Sequence, residues 1–106
     1  MKILFKDPKL ADLFQGIKVT DKKYRYDEPL LNQFIKTVRK LEAANKIEHL
    51  FQFTSLNYEK LKGNLKGKSS VRINMKYRLI FEEILNEKNP KNVEILALEE
   101  ISKHYE

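Results

Sequence analysis

The stretch 69-SSVRINMKYRLIF-81 decides the fold. Val71 and Ile73 alternate with Ser70, Arg72 and Asn74. After a break, Tyr77, Leu79 and Phe81 alternate with Arg78 and Ile80. A two-residue period on both sides of Asn74-Met75-Lys76 predicts two antiparallel strands joined by a tight turn, each burying one face. In the register where Ile73 faces Tyr77 and Val71 faces Leu79, the apolar residues share a face, and a slip of one residue would mix the faces. The same register puts Arg72 opposite Arg78 on the other face. Like charges directly opposed in a sheet are unfavourable unless an anion lies between or above them. The pair therefore reads as a phosphate seat or as two side chains splayed into solvent.

Working outward, 60-KLKGNLKGKSSVRINMKYR-78 holds seven Lys and Arg residues and no Asp or Glu. The other 87 residues carry 14 basic and 15 acidic side chains, so the net charge of +6 resides in this stretch. A local concentration of positive charge attracts polyanions and neutralises phosphates, which leaves nucleic acid, an acidic protein surface and anionic lipid open. With no cysteine, the chain has no disulfide, thiolate zinc site or cysteine nucleophile, which fits a reducing cytoplasm. No apolar run approaches the roughly 20 residues of a membrane span, and the short Met1–Lys6 run does not suit a signal peptide. At 106 residues the chain is expected to form one domain, residues 1–106, in the cytoplasm.

Upstream, Lys2–Lys6 reads as a strand ended by Asp7-Pro8, which also starts a helix carrying Leu10, Leu13 and Phe14. Gly16 to Tyr26 reads as a loop. Asp27-Glu28-Pro29 opens the strongest helix, with Leu30, Phe34, Val38 and Leu41 in one stripe facing a sheet and a stop at Asn45. Ile47, Leu50 and Phe51 suit a second short helix. Downstream, Asn86–Asn92 is a turn-rich loop, and Val93–Leu98 is apolar enough for a central strand buried on both faces. The expected fold is α+β: a small antiparallel-rich sheet packed on one long and one or two short helices, in the order β-α-α-β-β-β.

His49 and His104 lie far apart and show no ligand spacing, so no metal and no cofactor is expected. Lys62-Gly63-Asn64-Leu65-Lys66-Gly67-Lys68 lacks the P-loop pattern and reads as a basic turn whose backbone can approach a phosphate chain. Cutting RNA without a metal takes a base for the ribose 2′-OH, a cation for the crowded phosphate and an acid for the leaving oxygen. Arg78, Arg72 and Lys62 suit the phosphate; Glu59, Glu99, Glu100, His104 and Tyr58 can move protons. Tyr58 reads equally as core or as a platform for a base.

The series 61-LKGNLKGKSSVRINMKYRLIF-81, with the amphipathic helix before it and the strand after it, resembles the HigB branch of the RelE/ParE superfamily, toxins of bacterial type II toxin–antitoxin systems. The resemblance implies a RelE-like fold and a ribosome-dependent endoribonuclease that enters the A site of the 30S subunit and cuts translated mRNA. It implies a HigA-like helix-turn-helix antitoxin as partner and no membrane. By position it makes Arg78 and Lys62 catalytic, puts Glu59 where many relatives carry histidine, and leaves His104 or Tyr105 for the acid in 99-EEISKHYE-106. Lys60, Lys66, Lys68, Arg72, Lys76 and Tyr58 complete the expected RNA-binding set. A ParE-like gyrase poison, or an inactive RNA- or antitoxin-binding member, shares the fold.

Overall fold

The computed structural model describes residues 1–20, 22 and 27–103. Strand β1 (Lys2–Phe5) is followed by helices α1 (Pro8–Phe14), α2 (Glu28–Ala43) and α3 (Glu48–Phe51), and then by strands β2 (Glu59–Lys60), β3 (Lys68–Arg72), β4 (Tyr77–Leu85) and β5 (Val93–Lys103). The sheet order is β1-β5-β4-β3-β2, antiparallel throughout except for the parallel pair β1–β5. Sequence neighbours β2 to β5 thus pair in turn, and β1 joins through the helical crossover that a parallel partner needs.

The decisive hairpin has the register read from its alternation. Val71 pairs with Leu79 and Arg72 with Arg78, and the Ile73 amide donates to the Tyr77 carbonyl at 2.9 Å. The Asn74 side chain closes the turn, its Oδ1 accepting from the amides of Lys76 and Tyr77 at 2.8 Å each. An Asn side chain standing in for a backbone acceptor is the usual way such turns are held. Both longer helices start where capping predicts: Asp7 accepts from the Lys9 amide and Asp27 from the Leu30 amide, each at 3.0 Å.

The helices cover one face of the sheet. Leu10 and Leu13 of α1, Leu30, Phe34, Val38 and Leu41 of α2, and Leu50 of α3 are buried in one cluster with Val71, Ile73, Leu79, Phe81, Leu96, Leu98 and Ile101. Helix α2 ends at Ala43, short of Asn45, because Ala44 turns extended and is itself buried. Phe51, the last residue of the expected short helix, is 54% exposed and lies 4.9 Å from the Tyr58 ring. Gly16–Thr20 carry no regular structure beyond a turn, while Asp21 and residues 23–26 of the expected loop lie outside the described residues.

Two features go beyond the sequence reading. The edge strand β2 spans only two residues, too few for any period to show. Strand β5 sits inside the sheet as expected but runs to Lys103, and its register shifts where Ile80 pairs with Glu100 and Phe81 with Leu98. Glu99 is the extra residue of that bulge. Because Phe34 is fully buried, Phe34→Ala should destabilise the fold by about 3–5 kcal/mol, against about 1 kcal/mol for removing the α2 cap with Asp27→Ala. Urea unfolding of the two variants checks the ranking; equal midpoints would contradict it.

Candidate nucleic-acid interface

Residues paired across neighbouring strands point to the same side, so the registers define the face away from the helices row by row. One row is Arg72, Arg78 and Ser102; the next is Glu59, Ser70, Ile80 and Glu100; the third includes Lys68, Glu82 and Ala97. Ile80, on the same face as Arg78 as the alternation predicts, is 1% exposed, and Ser70 and Ala97 are equally hidden. None of them belongs to the helix-side cluster.

The arginines are the uncompensated part of this face. Among the described residues neither takes part in an ion pair, and the buried Nε of Arg78 has no hydrogen-bond partner. A buried unpaired donor costs on the order of 1–3 kcal/mol, and an anion seated between the guanidinium groups would satisfy it. Beside them is a notch lined by Asn57, Glu59, Ser70, Arg72, Tyr77 and Arg78. Asn57 takes a left-handed conformation, φ 44°, as the chain leaves the 3-10 turn Thr54–Leu56 toward β2. Asparagine tolerates that region better than most residues. The turn delivers Glu59 opposite Ser70 and thus next to the arginine row.

At the other end of the face the charge is balanced. The Lys6 ammonium contacts Glu82 and Glu99 at 2.7 Å each, and Lys68 contacts Glu99 at 2.6 Å. Partial burial pushes the Glu99 carboxyl up, but the two lysines outweigh it and hold it below its ordinary range. Hydrogen bonds to Glu82 and Glu99 raise Lys6 in turn. Lys68 is thereby spoken for, and Glu99 is a poor proton acceptor.

The remaining expected residues separate. Leu61 donates its amide to the Lys68 carbonyl at 2.9 Å, so the turn at Gly63–Leu65, with exposed Lys62 and Lys66, projects from the Lys68 end of β3. That end is four residues, about 13 Å, from Arg72 along the strand. Lys76 is exposed in the hairpin turn, beside the arginines; Lys60 alternates to the helix side of edge strand β2. Tyr58, considered as a platform beside the arginines, faces the helix side instead, because Glu59 takes the other face. Its ring lies near Phe51 and Phe81, at 4.9 and 6.4 Å, and its hydroxyl donates to Glu83, which also accepts from Ser69. Burial and the Glu83 carboxylate push its phenol far up, which makes it a poor proton source. His104 and Tyr105 lie outside the described residues.

The family described as RelE-like toxin of type II toxin-antitoxin system HigB matches residues 4–95. The chain belongs to the HigB-like toxins. Toxin HigB-1 of Vibrio cholerae serotype O1 is 34% identical over 83 residues, covering 77% of this chain and 83% of the relative. Solved structures share the fold at lower identity. A YoeB/ParE toxin from Agrobacterium tumefaciens matches with TM-score 0.55, at 17% identity over 99% of this chain and 100% of the other. YafQ from E. coli matches with TM-score 0.56, at 16% identity over 96% of this chain and 91% of the other. A YoeB-YefM complex from Staphylococcus aureus matches with TM-score 0.53, at 20% identity over 99% and 98%.

Sequence reasoning missed Asn57, Ser70, Tyr77 and Ser102 as neighbours of the arginines in this HigB-like toxin. Ser70 and Ser102 follow once the registers are known; nothing in the sequence marks Asn57. The balanced end of the face makes a pH prediction. Glu99 is depressed below its ordinary 4.5, so its contribution to stability is present above that value and lost as pH falls through the folded-state value. Being partly exposed, the network should contribute no more than about 1 kcal/mol. Glu99→Gln should therefore lower stability modestly at pH 7 and flatten its decline below pH 4.5, as measured by urea unfolding at both pH values. An unchanged acid limb would show that the network contributes nothing.

Proposed function

We propose that this HigB-like toxin is a ribosome-dependent endoribonuclease that cuts translated mRNA in the A site and so stops translation and growth. The observation that carries the reading is the in-register pair Arg72–Arg78 with the unsatisfied Arg78 Nε. Two guanidinium groups on adjacent rigid strands, free of carboxylate partners among the described residues, suit the extra charge of a phosphate passing through a five-coordinate transition state.

Glu59, at the notch beside them, accepts the proton of the ribose 2′-OH. The O2′–P bond forms as the P–O5′ bond breaks, leaving a 2′,3′-cyclic phosphate and a 5′-hydroxyl. The departing O5′ takes its proton from an acid supplied near the end of β5, a role that the family resemblance gives to His104 or Tyr105. These side chains supply each proton transfer and the charge stabilisation without a metal. Lys76 at the hairpin turn and Lys62 and Lys66 at the far turn hold flanking phosphates. The proposed partner is a HigA-like helix-turn-helix antitoxin; the S. aureus relative seen as a YoeB-YefM complex supports a protein partner. The proposed compartment is the cytoplasm, where translated mRNA is.

The test is primer extension on an mRNA translated in a purified system, with and without ribosomes. Wild-type protein should create new 5′ ends only with ribosomes. Arg78→Ala should lower their yield about 10²- to 10³-fold, and Glu59→Gln by at least about 10²-fold, while ribosome binding persists. Intact mRNA alongside growth arrest would overturn the reading in favour of a gyrase poison.

A further inference from the structure

A groove of about 780 Å³ opens beside the arginine notch and shares two of its walls, Arg72 and Tyr77. It runs between the hairpin turn and the first turns of α2 and is lined as well by Gln33, Ser55, Met75 and Lys76. Its size falls in the range of roughly 300–1,000 Å³ found for small-molecule clefts. We propose that this groove seats the base of the nucleotide next to the phosphate held by Arg72 and Arg78, and that the Gln33 amide reads that base. The inference rests on the nuclease reading and adds a specificity site to it.

Two observations argue for a base. Continuity comes first: Arg72 and Tyr77 wall both depressions, so a nucleotide whose phosphate sits at the arginines has its base within reach of the groove. Chemistry decides the class. The carbonyl of Gln33 accepts from the Thr37 hydroxyl at 2.8 Å, but the Gln33 side-chain amide and the Ser55 hydroxyl have no hydrogen-bond partner among the described residues. A free amide offers one acceptor and two donors, the complement of a base's Watson–Crick edge. Met75, 80% exposed at the turn, supplies a flexible apolar surface for the flat of a ring. The hairpin thus presents arginines to the backbone and a soft cover to the base.

The test is a titration followed by NMR on labelled full-length protein, with AMP, GMP, CMP, UMP and ribose 5-phosphate as probes. It needs neither ribosome nor cleavage. Met75 is easy to observe, because Met1 is the only other methionine. All five probes should move the Arg72 and Arg78 signals. Only the nucleotides should move the Gln33 side-chain amide and the Met75 methyl, with affinities that differ among the bases. Gln33→Leu should weaken the tightest nucleotide about 2- to 10-fold, the loss expected for one or two hydrogen bonds, and leave ribose 5-phosphate unchanged. Shifts at the arginines with Gln33 and Met75 silent would overturn the base site and leave the phosphate seat standing. No shift at either place would overturn both. Nucleotide affinities that Gln33→Leu leaves unaltered would overturn the assignment of Gln33 as reader.

Discussion

Burial of Val71 and Leu79 beneath α2 leaves Arg72 and Arg78 no place except side by side on the opposite face. Fully burying two such aliphatic side chains is worth roughly 3–6 kcal/mol, more than the repulsion between two half-exposed guanidinium groups in water. The hydrophobic core therefore fixes the register, and the register forces the arginines together. What the fold pays in electrostatic strain at that row, a phosphate bound as proposed would return. The site is in this sense a by-product of a core constraint.

The rest of the open face gives the arginines no ion pair among the described residues. Four carboxylates, Glu59, Glu82, Glu99 and Glu100, stand on or beside the same sheet face. Glu82 and Glu99 are held by Lys6 and Lys68, a full strand length from the arginines. Compensated charge collects at one end and uncompensated charge at the other, so the field of a +6 chain is focused on one row and the basic turns on either side of it. The middle row, with Ser70 and Ile80 hidden between Glu59 and Glu100, separates the two ends with a strip that offers an anion no cation.

How much of this was legible in the sequence depended on whether one segment or several determined it. The hairpin, the Asp7 and Asp27 caps and the apolar stripe of α2 are local, and their periods and capping residues predicted them. The arginine pair came with the hairpin. Strand β2 did not, since two residues carry no period, and without it Glu59 had no address relative to Ser70. The neutralisation of Lys68 needed Glu99 from β5, and the same carboxylate is shared with Lys6, brought across by the parallel pairing of β1 with β5 from the far end of the chain. Tyr58 followed from the same gap: once Glu59 takes the open face, alternation sends Tyr58 to the helix side. The burial of Ile80 was not legible for another reason. Alternation tells which side a residue faces, but its burial depends on what its neighbours lay over it.

The division between strands and turns bears on how such a site would act. Arg72 and Arg78 stand on paired strands of a five-stranded sheet, Arg78 paired on both sides and Arg72 on its β4 side. Lys62, Lys66 and Lys76 stand on turns. Rigid elements hold geometry to the fraction of an ångström that transition-state stabilisation needs, whereas turn-borne lysines can follow a backbone that arrives in several conformations. Capture by turn-borne charge and stabilisation by strand-borne charge are separate tasks, and under the proposed reading they fall to different parts of this sheet and its turns. Moving a guanidinium from β4 to the turn would preserve the net charge and the encounter rate but lose the geometry. Charge alone is therefore a poor guide to which of the seven basic residues matters most.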